Sequence, residues 1–320
     1  MTKILFPKNL IIHILPDNLT VCGGVKVHIQ LSELEQELGY DSFVAFPKRG
    51  VPTWFKHSAT CISYDDAAEF LNAVKGTSVK RIVIGWEDID ILDRFDADVK
   101  IAYIQGESLI KHTYKAFEDF VTHSNGKIWY SSKWNRQANK APDGSLVSPY
   151  INTDIFTPAQ NKELSSDLRI MVLTRKHGRE EWSKVANHLS APTLSRLKVI
   201  FHDNTSEDIF ASILRNSDIF FTHSSPEGLG LPPLEAMASK VLVIGYPGGG
   251  GTDFMKAGIN CLSSPTSNAL HVAGMLHDIV YGKVETSSIV EEGYKTVLSR
   301  YSKDNTLDQL KVALDAVIRF

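Results

Sequence analysis

Ser224-Ser225-Pro226-Glu227-Gly228-Leu229-Gly230-Leu231-Pro232-Pro233-Leu234-Glu235-Ala236-Met237-Ala238 is the stretch whose reading decides the fold of this chain. The residues just before it, Asp218-Ile219-Phe220-Phe221-Thr222, read as a buried strand. The order is strand, polar turn with two glycines, prolines at the first helical positions, then helix. Prolines fit there because the first helical N–H groups have no partner to lose. Such a turn aims backbone N–H groups and the positive end of a helix at one point in space, and that point attracts phosphate. Glu227 lies in the turn. Glu235 falls about one turn inside the helix, from where it can reach hydroxyls attached to that phosphate.

Working outward, the same alternation recurs. Leu10 to Ile14 is an apolar run, followed by Cys22-Gly23-Gly24-Val25 and a helical pattern through Val27, Leu31, Leu34 and Leu38. Gly39 is well placed to end that helix. Further strands are read at 42–46, 81–85, 99–104 and 127–131, and in the second half at 168–173, 197–201, 218–222 and 241–245. Strands alternating with amphipathic helices predict parallel sheets and an α/β fold. Pro149 to Pro158 breaks the alternation and reads as a linker, dividing the chain into residues 1–152 and 153–320. A final helix over Thr306 to Ile318 closes the chain and is free to pack back on the first domain.

Composition narrows the function. Of 320 residues, 43% are hydrophobic and 22% charged, with net charge −3, which argues against a nucleic-acid partner. Cys22, Cys61 and Cys261 are widely separated and show no metal-ligand spacing, so a reducing, cytoplasmic setting is expected. No run reaches transmembrane length, and Met1 to Pro7 is too short for a secretion signal. Peripheral contact with a membrane stays open.

With the two glutamates eight positions apart, the second half resembles the glycosyl transferases of group 1, a family of retaining enzymes. SSPEGLGLPPLEAMAS is similar to the family's EGFGLPPLEAMA signature, and Val243 to Asp253 to its next strand and glycine loop. SPYINTDIFTP is similar to the family linker, and Leu173-Thr174-Arg175 stands where the family has a strand ending in Gly-Arg. The resemblance covers residues 148 to 265 well and the first half only in outline. It implies the GT-B architecture, two Rossmann-like domains facing each other across a cleft, and transfer of a hexose from a nucleotide-diphosphate sugar. The acceptor would be a glycan, a lipid-linked group or a small molecule.

The resemblance also implies roles. The donor diphosphate would lie on the turn Gly228, Leu229 and Gly230, beside Arg175 and a second cation, either Lys176 or Arg179. Arginine suits this because it is always charged and grips phosphate oxygens in a fork. Glu235 would accept from the ribose hydroxyls and Glu227 would hold the donor sugar near its anomeric carbon. Gly23 and Gly24 match the glycine-rich turn of the first domain. The family often has a histidine near the transferred sugar, where this chain has Gln105; either Gln105 fills that place or His112 reaches in. Retaining transfer passes through an oxocarbenium-like state. Cationic side chains can stabilise the departing diphosphate without a metal or other cofactor. Two other readings fit the same scaffold: a binding relative without turnover, and a different nucleotide-sugar enzyme such as an epimerase. A nicotinamide dehydrogenase is disfavoured, because no GxGxxG follows the first strand.

Overall fold

The structure, a computed structural model, describes residues 9–86, 88–106, 114–123, 126–139, 143–160, 167–223 and 227–318. His112 and the segment Ser224 to Pro226 lie outside the described residues. The chain divides into two compact units, residues 1–149 with 306–320, and residues 150–305.

The first unit holds a sheet of β1 (Leu10–Ile14), β2 (Asp41–Phe46), β3 (Cys61–Ser63), β4 (Arg81–Trp86), β5 (Val99–Ile104), β6 (Gly126–Tyr130) and β7 (Ser145–Leu146), in the order β3-β2-β1-β4-β5-β6-β7. Each pairing is parallel, with β1 Ile12 opposite Phe43 of β2 and Val83 of β4. Alternation along β1 sends Leu10, Ile12 and Ile14 into the core shared with Val83, Ile104 and Phe117. Ile11 and His13 therefore face the other side, where the helix Gly23–Glu37 supplies His28 and Glu35 as partners for His13. That helix ends as its sequence predicts, with Gly39 at φ +91°.

The second unit holds β8 (Leu168–Leu173), β9 (Leu197–His202), β10 (Ile219–Thr222), β11 (Leu242–Gly245) and β12 (Leu262–Ser263), also parallel, in the order β12-β11-β10-β8-β9. Both faces are covered, as an all-parallel sheet requires. Met171, Phe220 and Val243 pack with Leu234 and Met237 of the helix Leu231–Ala238. Ile170, Phe221 and Ile244 pack on the opposite face with Trp182 and Leu276.

The segment Pro149 to Pro158, read as a linker from its prolines, belongs to the second unit from Tyr150 onward. Ile151 donates its N–H to the Tyr301 carbonyl at 2.9 Å, Arg215 donates to the Ile155 carbonyl at 2.8 Å, and Phe156 is fully buried. The boundary thus falls three residues earlier than the composition suggests, because Ile151 and Phe156 are core residues among turn formers. At the other end, residues 306–320 group with the first unit. Within it, Thr306 donates to the Ser148 carbonyl and Lys80 to the Ile318 carbonyl. Among the described residues no helix is long and apolar enough to cross a membrane.

Candidate functional site

In a doubly wound sheet, a crevice opens where the strand order reverses, at the carboxyl ends of the two strands flanking the switch. In the second unit that switch lies between β8 and β10. A pocket occupies this place. It is lined by Leu173, Arg175 and Lys176 after β8, Thr222 and His223 at the end of β10, Glu227, Leu229, Gly230 and Pro233 of the next turn, and Pro247 and Gly248 after β11.

The turn after β8 is tight. Lys176 and His177 both take the left-handed conformation, at φ +54° and +68°. Each such residue other than glycine costs about 1–2 kcal/mol. The turn then enters the helix Gly178–Ala186 at a position only glycine can fill, since a Cβ on Gly178 would lie 1.8 Å from the Leu173 carbonyl oxygen. This turn brings Lys176 Nζ to within 2.7 Å of Glu227 Oε1. Arg179 goes elsewhere: its guanidinium stacks over the Phe201 ring, 4.1 Å from the centroid. Of the two cations left open by the sequence, the pocket receives Lys176.

Glu227 is held through its backbone. Its carbonyl accepts from the Gly250 N–H at 2.7 Å, which ties the turn to the glycine loop after β11. Gly230, at φ +87°, leads into the helix Leu231–Ala238 without a side-chain cap. Pro232 and Pro233 carry no N–H, so they thin the donors of the first turn. Positive charge at the pocket therefore rests on Arg175 and Lys176 as well as on the helix end. Glu235 lies five residues into the helix, is 5% exposed, and is not among the pocket-lining residues.

His223 was not singled out from the sequence. Its Nε2–H donates to the Arg175 carbonyl at 3.0 Å, and it lines the pocket between the cationic turn and Glu227. Burial lowers its pKa, against the opposing pull of that hydrogen bond and of Glu227 and Glu181. The available signal was positional: a polar residue at the carboxyl end of a switch-point strand.

The remaining sequence candidates lie in the first unit. Gly23 and Gly24 begin the helix after β1, and a Cβ on Gly24 would meet the Trp86 indole at 2.4 Å. Gln105 follows β5 directly and is half-buried. Both places are carboxyl ends of strands in one sheet, with β4 between them. Among the described residues no group of three or more histidine, cysteine or acidic side chains could hold a metal ion.

Residues 165–296 match the family model of the glycosyl transferases group 1. The match lies within the second unit. The matched span contains the whole pocket lining. Solved structures agree on the fold. A glycosyltransferase from Rickettsia africae superposes with TM-score 0.76 at 14% identity, over 98% of this chain and 100% of the other. Sucrose-phosphate synthase from Thermosynechococcus elongatus gives 0.71 at 14%, over 98% and 100%. HepE of Anabaena in complex with UDP gives 0.69 at 10%, over 95% and 99%. No curated protein matches the chain significantly. The chain has the fold class of these GT-B structures, with a parallel sheet in each of two units.

Proposed function

We propose that this transferase moves a hexose from a nucleoside-diphosphate sugar to a glycan, lipid-linked or small-molecule acceptor, with retention of configuration at the anomeric carbon. The observation that carries the reading is the convergence of Arg175, Lys176 and Glu227 in one switch-point pocket. Arg175 and Lys176 hold the diphosphate and stabilise the charge that develops as it departs, the term of largest weight in such sites. Glu227 accepts from hydroxyls of the donor sugar, and Glu235 from those of the ribose. Lys176 pairs with Glu227 in the structure described. An arriving diphosphate competes for that ammonium and leaves the Glu227 carboxylate to the sugar.

HepE has been solved with UDP and with UDP-glucose, which supports a uridine diphosphate hexose as the first donor to test. In the first unit, Gly23, Gly24 and Gln105 are the proposed groups for sugar or acceptor. The setting proposed is cytoplasmic, with peripheral membrane contact where the acceptor is lipid-linked.

The test is calorimetric titration with UDP, GDP and ADP and their hexose conjugates, then proton NMR of the product's anomeric signal. Binding of one nucleotide and a product with the donor's anomeric configuration support the reading. Absence of any nucleotide binding at millimolar concentration, or an inverted product, overturns it.

A further inference from the structure

We infer that His223 is a positioning residue for phosphate recognition, acting as a clamp on the turn that presents Arg175 and Lys176. The inference rests on the donor-site reading above. Three observations meet at this turn. The Arg175 carbonyl oxygen accepts the His223 Nε2–H at 3.0 Å and the Gly178 N–H at 3.3 Å. The two residues between those anchors, Lys176 and His177, are both left-handed, a conformation that side-chain-bearing residues leave unless their surroundings hold them. The His223 ring also abuts the helix start, with its Cε1 3.0 Å from where a Gly178 Cβ would stand.

A carbonyl can accept only, so Nε2 carries the proton and Nδ1 is the acceptor in the neutral ring. The bond orients the peptide between Arg175 and Lys176. Because that unit is planar and trans, the Lys176 N–H points away from His223. His223 thereby determines where the backbone leaves Arg175 and where Lys176 starts. It sits on β10's end, whereas the turn follows β8, so the clamp joins the two sides of the switch point. Release of the clamp lets the turn relax toward ordinary backbone geometry and takes both cations off their aim. The base and ribose contacts of a nucleotide do not depend on that aim, but the diphosphate contacts do.

The experiment compares UDP with UMP by calorimetry, with GDP/GMP and ADP/AMP run beside them, on wild type, His223→Asn and His223→Gln. Glutamine places an amide N–H at the reach of Nε2; asparagine places it at the reach of Nδ1 and falls short of the Arg175 carbonyl. Thermal melts show that each variant folds. His223→Asn is expected to weaken diphosphate binding about tenfold, the worth of one well-placed hydrogen bond, and to leave the monophosphate affinity close to wild type. His223→Gln is expected to restore most of the diphosphate preference. A diphosphate preference unchanged in His223→Asn overturns the clamp, as does an equal loss of diphosphate and monophosphate in both variants. If wild type binds none of the three diphosphates, the donor-site reading fails and the clamp with it. If wild type binds and the variants show no difference, the clamp alone fails.

Discussion

Two carboxylates, each beside a nitrogen donor, stand in opposite circumstances in the two units. Glu35 of the first unit is fully buried, and its Oε2 accepts from His13 Nε2 at 2.9 Å and from the Ser42 hydroxyl at 2.6 Å. His13 Nδ1 lies 2.8 Å from Nδ1 of His28, so a chain of hydrogen bonds runs from carboxylate to imidazole to imidazole. Glu227 of the second unit keeps 33% of its side chain exposed, and its partner Lys176 keeps 48%. An exposed ion pair is worth only about 0–1 kcal/mol, so a phosphate can take Lys176 at little cost. Breaking a buried pair leaves a desolvated group without a partner. Hydration, not residue type, makes one carboxylate scaffolding and leaves the other available to a ligand.

The contrast can be broken most sharply from the buried side. Glu35→Ala is expected to destabilise the first unit by about 3 kcal/mol, through the orphaned His13 donor and the space left behind. Denaturant unfolding measures it, and a loss below 1 kcal/mol would make the network incidental. Glu227→Gln is expected to leave the melting temperature near wild type and lower transfer about a hundredfold. It should also tighten nucleoside diphosphate binding a few-fold, because Lys176 loses its competing partner; weaker binding in calorimetry would remove the exchange from the mechanism. Gly178→Ala, which drives a methyl group into the Leu173 carbonyl, is expected to cost about 2 kcal/mol of stability and to weaken donor binding with it.

A gentler probe is pH. Burial first, and then the neighbouring His13, hold the pKa of His28 well below 6.5. The unfolded chain takes up that proton near pH 6.5, whereas the folded unit does not. His28 therefore leaves stability undiminished above about pH 6.5 and erodes it as pH falls below, by up to about 1.4 kcal/mol per pH unit. Unfolding curves between pH 7 and pH 5 should show this slope in wild type and a shallower one in His28→Leu; equal slopes would assign the acid response to other groups. At the small end, Lys295→Ala removes an exposed bond to Glu292 and is expected to shift stability by less than about 0.5 kcal/mol.

The sequence by itself determined the alternation of strand and helix, because buried parallel strands read as short apolar runs and their helices as 3.6-residue stripes. The runs at Leu10–Ile14, Val99–Ile104 and Leu168–Leu173 are strands with the boundaries read from the sequence. The short strands β3, β7 and β12 were missed, since two or three residues carry no readable period. The helix start between Glu227 and Glu235 was legible because prolines and glycines mark such a start in any context. Which cation meets Glu227 was not, since Lys176 and Arg179 lie three residues apart on a turn whose left-handed backbone no local propensity predicts. His223 and the three-residue polar network of Glu35, His13 and His28 were hidden for a related reason. Their partners are distant along the chain, and only the packing of helix on sheet and strand beside strand brings a hydrogen bond donor to its acceptor.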